Sequence, residues 1–314
     1  MTLAVVFPGQ GSQSLGMLAK ISDAYPSIKQ TFIEASNNLD YDLWALTQHG
    51  PVDRLNATAC TQPALLVAGV AIWRVWQTQG GRSPVVMAGH SLGEYTALVC
   101  AGALDFGDAV KLVEFRGQAM QAAVPTGAGA MAAILGLADE AVESACREAA
   151  HDQVVAAVNY NAPGQVVIAG HKTAVERAGQ ICKTSGAKRV ILLPVSVPSH
   201  CALMQPAAEQ LAAKLATITL HSSAIPVIHN ADVAAHTQAD EIRKLLKAQL
   251  YSPVRWVETI RLLASQGVTK VVELGPGGVL AGLCKRIDKT LDTYAVYDPA
   301  GLDTALVAIT NEAM

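Results

Sequence analysis

This sequence is short of charge. Charged side chains (Asp, Glu, Lys and Arg) make up 16% of its 314 residues, against roughly 25% in a typical soluble protein. Aromatic residues make up only 5%, although hydrophobic residues as a group reach 51%. A chain with few charges and many aliphatic side chains must bury a large core. Its length favours one large domain with a smaller companion.

Positive charge is not in excess either. The chain has 23 Lys and Arg against 26 Asp and Glu, a net charge of −3, which argues against nucleic acid as the main partner. No cationic side chain precedes Lys20, so we expect no signal peptide. The uncharged runs at 55–73 and 190–208 contain proline and polar residues, and we expect neither to span a membrane.

The six cysteines show no C-x-x-C spacing, and a chain of this length needs no disulfide staples. We therefore predict reduced thiols in a cytoplasmic protein. We also predict no bound metal and no permanently bound cofactor.

Short apolar runs alternate with helical patterns along most of the chain. Strands are predicted at 3–7, 85–88, 270–274 and 294–297, and helices at 61–77, 92–100 and 106–123. Strands that alternate with helices form a parallel sheet covered on both faces. The predicted fold class is therefore α/β. We expect about the last 15 residues to be a loosely held end.

The middle of the chain has a different order of elements. Strands are predicted at 131–135, 154–158, 165–169 and 189–193, with helices at 138–149 and 172–185. The order βαββαβ is the ferredoxin-like arrangement. We therefore predict a small domain at 126–196, inserted into a large domain formed by 1–125 and 197–314.

The segment AGHSLGEYTA at 88–97 contains Gly-x-Ser-x-Gly between a predicted strand and a predicted helix. In that context the glycines permit a sharp turn that exposes the serine hydroxyl above the sheet edge. The following helix N-terminus offers free N–H groups to a developing oxyanion. Ser91 is thus the candidate nucleophile. The alternative is a chance turn of small residues that opens a helix.

A serine nucleophile needs a base, and the chain has eight histidines. His200 ends a proline-stiffened segment that leaves the small domain and re-enters the large one, where ligand sites concentrate. The alternative is a histidine that is simply paired inside the domain interface. His90 is adjacent to Ser91, but its side chain should point away from Oγ. No acid is evident as a third member of the triad, so a neutral group could orient the base.

Arg116 falls in the apolar stripe of the helix at 106–123. Burying a guanidinium is costly unless it meets an anion. One interpretation is bidentate capture of a substrate carboxylate. The other is a structural salt bridge to a carboxylate in the core.

The glycine-rich segment FPGQGSQ at 7–13 follows the first predicted strand. It lacks the third glycine of a dinucleotide-binding fingerprint, so the sequence gives little support to a dinucleotide-binding site here. A turn with backbone N–H donors at the carboxyl edge of the sheet fits better, because a second oxyanion donor is needed there.

Together these segments resemble the malonyl-CoA:acyl carrier protein transacylases of bacterial type II fatty acid synthesis. The resemblance covers essentially the whole chain. It is carried by FPGQGSQ at 7–13, TQPALL at 61–66, AGHSLGEY at 88–95, Arg116, NYNAPGQVVIAGH at 159–171, PVSVPSHCALM at 194–204, QLYSPVRW at 249–256 and ELGPGGVL at 273–280.

The resemblance implies an α/β-hydrolase-like large domain with a parallel sheet and a ferredoxin-like small domain. It implies transfer of a malonyl group from malonyl-CoA to the phosphopantetheine thiol of acyl carrier protein, in two steps through a malonyl-Ser91 ester. The implied roles are Ser91 as nucleophile, His200 as base, Gln249 as the group that orients His200, the backbone N–H groups of Gln10 and Leu92 as oxyanion hole, Arg116 as carboxylate clamp, and Gln62 and Asn161 near the pocket.

Acyl carrier proteins are acidic, so a local basic patch would steer their docking. Lys188 and Arg189 form one candidate cluster, and Lys285 and Arg286 form another. Each could equally be an ordinary solvated face. Two other functions stay open at this stage: a serine hydrolase that releases the acyl group to water, and a catalytically silent module that binds carrier protein. We expect a monomer.

Overall fold

The computed structural model describes residues 2–195 and 197–310. Five strands form a parallel sheet: β1 (Leu3–Phe7), β2 (Val86–Gly89), β7 (Val227–Ile228), β8 (Lys270–Leu274) and β9 (Asp292–Val296). Their order in the sheet is β7-β2-β1-β8-β9. The four strands predicted for the large domain are confirmed. The two-residue strand β7 has no counterpart in the prediction.

Strand β1 explains why this sheet reads as apolar runs in the sequence. Leu3, Val5 and Phe7 face one hydrophobic core, whereas Ala4 and Val6 face a second core on the opposite side of the sheet. Both faces of the strand are buried, so no polar residue alternates with the apolar ones.

Helices cover both faces of the sheet and connect its strands. They are α1 (Ala19–Ala24), α2 (Ser27–Ser36), α3 (Leu43–His49), α4 (Val52–Asn56), α5 (Thr58–Thr78), α6 (Leu92–Cys100), α7 (Phe106–Ala122), α10 (Gln205–Leu215), α11 (Ala239–Gln249), α12 (Trp256–Ser265), α13 (Val279–Ile287) and α14 (Pro299–Thr310), with a short 3-10 helix at Ala202–Met204. Helix α5 is long and apolar enough to cross a membrane by length and composition. However, 83% of its apolar window is buried inside the protein, as expected of a core helix.

A second sheet is antiparallel and follows the predicted βαββαβ order. It contains β3 (Gly129–Leu135), β4 (Val155–Ala162), β5 (Gln165–His171) and β6 (Arg189–Leu192), with α8 (Asp139–Ala150) and α9 (Lys172–Thr184) between them. The strand order is β4-β5-β3-β6, so the first and third strands are central, as in ferredoxin-like folds. The predicted fold class is confirmed.

The two faces of the second sheet have different partners. Helices α8 and α9 cover one face and enclose a separate core around Ile134, Val142 and Ile168. On the other face, Met131 and Val167 cluster with Cys201, the residue that follows His200. The second sheet therefore packs against the segment that carries the candidate base.

The expectation of a loose C-terminal end is wrong for residues 299–310. They form helix α14, which buries Leu302, Ala305 and Ile309. The spacing of three and four between these residues is that of one helix face, and the short helix packs against β9. Residues 311–314 lie outside the described part of the chain, as does the predicted domain boundary at 196.

Candidate active site

Ser91 lies in the turn between β2 and α6, at the carboxyl edge of the parallel sheet. Its backbone has φ 51° and ψ −108°, a conformation that residues other than glycine rarely adopt. Such strain at the turn between strand and helix is the geometry expected of a nucleophile elbow.

The two glycines of the motif are required by close backbone contacts. A Cβ on Gly89 would lie 1.9 Å from the carbonyl carbon of Gly93. A Cβ on Gly93 would lie 2.0 Å from the carbonyl oxygen of Phe7 in β1. Glycine at both positions therefore allows helix α6 to begin in direct contact with β1 and β2, and so allows the sharp turn.

His200 reaches Ser91 from the segment after the second sheet. Its Nε2 lies 2.8 Å from Ser91 Oγ, and its Nδ1 lies 2.8 Å from the backbone carbonyl oxygen of Gln249. A carbonyl oxygen can only accept, so Nδ1 carries the proton and Nε2 is free to accept from the serine hydroxyl. The structure thus brings the predicted nucleophile and base together in the tautomer that proton abstraction needs.

His200 is 3% exposed, and burial lowers its pKa to about 3, with a further contribution from the positive charge of Arg116. The imidazole is therefore neutral across the physiological pH range. The main-chain carbonyl of Gln249 occupies the place that a carboxylate holds in a Ser-His-Asp triad. Burial without a carboxylate partner is the reason that the pKa is low rather than raised.

Gln249 contributes more than the sequence-based prediction assigned to it. Its backbone oxygen orients His200, as stated above, whereas its side chain faces elsewhere. Nε2 donates to the carbonyl oxygen of Ser91 at 3.0 Å and to Oε2 of Glu94 at 2.8 Å. Gln249 Oε1 accepts from Arg116 Nη2 at 2.9 Å. One residue therefore contacts the base, the nucleophile and the arginine.

Arg116 is 1% exposed, which confirms that this arginine lies on the buried side of α7. Its Nη1 donates to Gln62 Oε1 at 2.8 Å, and its Nη2 also lies 3.3 Å from Ser91 Oγ. Within residues 2–195 and 197–310, no carboxylate forms a salt bridge with it. Burial lowers the pKa of the guanidinium, and its buried Nε has no partner among the described residues. Among the described residues, the structure therefore does not contain the salt bridge to a core carboxylate that was the alternative interpretation of Arg116.

The predicted oxyanion donors lie on the same cavity as Ser91. The cavity has a volume of about 440 Å³, and Gln10, Leu92, Arg116 and His200 are among its lining residues. The backbone N–H groups of Gln10 and Leu92 have no acceptor in the described part of the chain. Leu92 is the first residue of α6, where unpaired N–H groups are expected. Both groups are thus free to bind an oxygen in the cavity.

Gln62 and Asn161 lie one contact behind the cavity and do not line it. Gln62 supports Arg116, as described above. Asn161 Oδ1 lies 2.8 Å from Nε2 of His90, and it is His90 that lines the cavity. The prediction that His90 points away from Ser91 Oγ agrees with this contact.

Several residues that line the cavity were not predicted from the sequence, because they come from separate helices, strands and loops. They include Thr58, Met120, Met131, Asn159 and Val197. Asn159 and Val197 lie in quoted motifs, but nothing in the sequence marks any of the five as a cavity residue, since only the tertiary fold brings them to Ser91.

A buried polar cluster behind the elbow was also missed. It consists of Glu94, His229 and Asn230, each at most 1% exposed. Glu94 accepts from His229 Nδ1 at 2.7 Å and from the backbone N–H of Asn230 at 2.9 Å. The available signal was the short apolar run at 225–228, which ends in His-Asn as a strand at the carboxyl edge of the sheet would.

The two predicted cationic clusters meet at one end of the antiparallel sheet. Leu135 in β3 pairs with both Gln165 and Arg189, and Arg286 donates to the side chain of Gln165. Lys188, Arg189, Lys285 and Arg286 are all exposed. The sequence presented them as two separate candidates, but the fold makes them neighbours.

In the described ranges, no group of three or more His, Cys, Asp or Glu side chains could hold a metal ion. All six cysteines are free thiols. The polar side chains that meet at the nucleophile are those of Ser91, His200 and Arg116.

Comparison with known proteins defines the class of the protein first. The model of the acyl transferase domain family matches residues 4–301, so the chain belongs to that family. Among curated proteins, the malonyl CoA-acyl carrier protein transacylase of Escherichia coli (strain K12) is 60% identical over 303 residues, which cover 96% of this chain and 98% of the relative. The protein of the same name from Bacillus subtilis (strain 168) is 43% identical over 311 residues, 99% of this chain and 98% of the relative.

Solved structures agree with that placement. An acyl carrier protein S-malonyltransferase from Vibrio cholerae is 61% identical, with a TM-score of 0.94 and coverage of 97% of this chain and 99% of that chain. A malonyl-transacylase in complex with a type II PKS acyl-carrier protein is 58% identical, with a TM-score of 0.97 and coverage of 98% and 100%. Within the acyl transferase family, the chain belongs with the malonyl-CoA:acyl carrier protein transacylases, as its motifs predicted.

Proposed function

We propose that this protein transfers the malonyl group of malonyl-CoA to the phosphopantetheine thiol of acyl carrier protein, through a malonyl ester on Ser91. The product would supply chain elongation in fatty acid synthesis. The names of the relatives give the substrate class. The observation that carries the proposal is the position of Arg116, whose Nη2 lies 3.3 Å from the nucleophile oxygen. A buried cation beside Ser91 selects an acyl group that ends in a carboxylate.

In the first step, His200 Nε2 accepts the proton of Ser91 Oγ as that oxygen attacks the thioester carbonyl of malonyl-CoA. The C–S bond breaks, the malonyl group stays on Ser91, and coenzyme A leaves as a thiol with the proton from His200. The backbone carbonyl of Gln249 holds the imidazole in its reactive tautomer throughout.

The oxyanion of the tetrahedral intermediate would accept from the N–H groups of Gln10 and Leu92. Neither group needs to give up an existing partner, so this electrostatic stabilisation is preorganised. Leu92 also lies at the N-terminus of α6, where the helix dipole favours negative charge.

The malonyl carboxylate would bind the guanidinium of Arg116. In the present structure that guanidinium contacts the neutral amide oxygens of Gln62 and Gln249. A carboxylate is a stronger acceptor than either. An acetyl group would leave the buried arginine without an anion, so the site favours malonyl over acetyl.

In the second step, the phosphopantetheine thiol of the carrier protein occupies the place of coenzyme A. Its proton goes to His200, its sulfur attacks the ester carbonyl, and Ser91 regains its proton. Thioester is exchanged for thioester, so neither a metal nor a redox cofactor is required. We propose that the enzyme has no permanently bound cofactor.

The test is intact-protein mass spectrometry after mixing with malonyl-CoA. We expect one malonyl adduct on Ser91 that persists in buffer and is released by adding carrier protein. An unmodified wild type would contradict the proposal. Steady release of free malonate without an acceptor would identify a hydrolase instead, and carrier binding without turnover would identify a silent binding module.

We also propose a docking surface, a cellular location, an oligomeric state and a domain division for the enzyme. Docking of an acidic carrier protein is assigned to Lys188, Arg189, Lys285 and Arg286, which are all exposed. The six free thiols support a cytoplasmic location. We propose that the enzyme acts as a monomer, because Ser91, His200 and Arg116 of a single chain already meet. The division into domains at 126 and 196 remains as proposed from the sequence.

A further inference from the structure

The strained backbone of Ser91 is held by a side chain from a different part of the chain. Asn230 Oδ1 accepts from the backbone N–H of Ser91 at 2.7 Å. Its Nδ2 donates to the carbonyl oxygen of Gly89 at 2.7 Å. Asn230 is 1% exposed, so its amide is shielded from water.

These contacts fix the peptide group that precedes Ser91. Its N–H is bound by Asn230, and its other end, the carbonyl of His90, accepts from Gly93 at 2.9 Å. Because a peptide group is planar, the two contacts set its orientation and therefore the φ angle of Ser91.

The peptide group that follows Ser91 is fixed in the same way. Its carbonyl oxygen accepts from Gln249 Nε2 at 3.0 Å. In a trans peptide the N–H points opposite to the carbonyl, so this contact directs the N–H of Leu92 away from Gln249. The ψ angle of Ser91 is thereby set as well.

A single carboxylate connects Asn230 and Gln249, the two residues that hold the peptide groups on either side of Ser91. Glu94 Oε2 accepts from the backbone N–H of Asn230 at 2.9 Å and from Gln249 Nε2 at 2.8 Å. Glu94 Oε1 accepts from His229. Strand β7 pairs with β2 in parallel, which places residues 229 and 230 beside the elbow that follows β2.

We propose that Asn230 is a positioning residue of the transfer reaction. Its amide holds the peptide group that precedes Ser91 in the orientation that directs Oγ to His200. Gln249 holds the following peptide group, which carries the Leu92 N–H. Asn230 does not touch the substrate and acts through the backbone of Ser91. The inference rests on the proposed acylation of Ser91.

The first experiment measures single-turnover acylation by malonyl-CoA in Asn230→Ala, expressed per folded molecule from circular dichroism. We expect the maximum rate to fall by about 10- to 100-fold, the loss typical of a small displacement of reacting groups. The malonyl-CoA concentration at half-maximal rate should stay within about threefold, because Arg116 keeps its contacts.

The matched control is Thr259→Val. Thr259 is also buried, and its hydroxyl donates to a backbone carbonyl, that of Arg255, in helix α12. A loss that came only from removing a buried hydrogen bond would lower the thermal stability of both variants. The acylation rate should fall in Asn230→Ala alone.

A second variant, Asn230→Asp, tests the hydrogen bonds themselves. As a carboxylate it can accept from the Ser91 N–H, but it places a negative oxygen against the Gly89 carbonyl. When protonated it can donate to that carbonyl, as asparagine does. Burial and the neighbouring Glu94 both raise the pKa of such a group. The other titratable or charged side chains around it are His229, which contacts Glu94, His236, whose ring lies 5.8 Å from that of His229 and which pairs with Asp232, and Arg116, which lies beyond Gln249.

We therefore expect acylation by Asn230→Asp to be slow at about pH 8 and to recover toward the wild-type rate at about pH 5. The wild type should change little over that range. Because aspartate has nearly the volume of asparagine, this variant carries the test even if the alanine variant does not fold. An acylation rate in Asn230→Ala within twofold of the wild type, or an Asn230→Asp rate that does not rise on acidification, would overturn the proposal.

Phenylmethylsulfonyl fluoride separates this inference from the proposed function. The reagent is neutral and labels an activated serine without any need for a carboxylate clamp. A wild type that it labels at Ser91, but that malonyl-CoA does not acylate, would contradict the proposed substrate. Comparison of labelling rates in the wild type and in Asn230→Ala would still decide the role of Asn230, with the same fold-change expected.

Discussion

At the scale of single residues, the site is governed by one buried positive charge that forms no direct salt bridge among the described residues. Arg116 contacts amide oxygens and a hydroxyl, and its charge helps to lower the pKa of His200. A carboxylate bound to Arg116 would reduce that effect and make His200 a stronger base. The correct substrate would therefore strengthen the base that activates Ser91.

Replacing Arg116 by alanine should reverse the preference between malonyl and acetyl groups. We expect malonyl transfer to fall on the order of 100-fold, since one partner of a buried charge pair is lost. Acetyl transfer should rise relative to the wild type, because no desolvated cation is left unpaired. Acceptor assays with malonyl-CoA and acetyl-CoA measure both rates.

Arg116→Lys is the control for the planar geometry of the guanidinium. It keeps the charge but loses the fork that binds a carboxylate bidentately, so its malonyl transfer should lie between those of the wild type and Arg116→Ala. Equal malonyl transfer in all three proteins would exclude the carboxylate clamp.

The low pKa of His200 makes a prediction about stability. Unfolded, this histidine has a pKa of about 6.5, whereas the folded value is about 3. Between these values the unfolded state binds the extra proton, so acidification destabilises the fold, by at most about 1.4 kcal/mol per pH unit from this one group. Urea unfolding of the wild type and of His200→Gln at about pH 7 and pH 5 should show a smaller loss in the variant. Equal losses would mean that His200 titrates normally.

At the scale of secondary-structure elements, the site depends on the close approach of α6 to β1. Gly93→Ala would place a methyl group 2.0 Å from the Phe7 carbonyl oxygen, and backbone atoms cannot yield locally. We expect a loss of several kcal/mol in stability, of the order that overpacking and backbone strain produce, and no measurable acylation.

Gly282→Ala in α13 is the matched control for that substitution. A Cβ at Gly282 meets nothing within 4 Å, and alanine favours helix, so the variant should gain up to about 1 kcal/mol. Thermal unfolding of the two variants measures the contrast. A Gly93→Ala protein as stable as Gly282→Ala would show that the elbow tolerates a side chain.

The strands of four or more residues were predicted from local apolar runs, whereas the two-residue strand was not, and the 12-residue helix α14 was expected to be a loose end. Strand β1 is a run of five apolar residues, and α7 carries a visible apolar stripe. Strand β7 has two residues, too few for any period to be recognised. The contacts of Asn230 depend on that strand, so the hydrogen bonds that hold the backbone at Ser91 could not be predicted from the sequence. The role of Gln249 was seen only in part, because a backbone carbonyl leaves no trace in residue identity.

At the scale of the whole molecule, the site forms where two sheets meet. The parallel sheet supplies Ser91 at its carboxyl edge, and the segment after the antiparallel sheet supplies His200. The face of the antiparallel sheet that bears Met131 closes over the cavity. The carrier protein must therefore approach a cavity bounded by both sheets, and a charged surface on the smaller one is available to orient it.

The cationic end of the antiparallel sheet leads to a prediction about the second half-reaction alone. Replacing Lys188, Arg189 and Arg286 by alanine removes three exposed charges near one end of the antiparallel sheet. The apparent KM for acyl carrier protein should rise by about 3- to 10-fold, because exposed pairs contribute less than about 1 kcal/mol each. Acylation by malonyl-CoA should be unchanged, since none of the three lines the cavity.

The control for this charge removal is Lys20→Ala combined with Lys29→Ala, exposed residues of α1 and α2. Added salt should raise the KM of the wild type and of this control more than that of the triple variant, because long-range attraction between exposed charges is screened. Stopped-flow measurement of each half-reaction separates docking from chemistry. A parallel decrease in acylation and transfer in the triple variant would place the carrier protein elsewhere and assign the lost rate to an altered cavity.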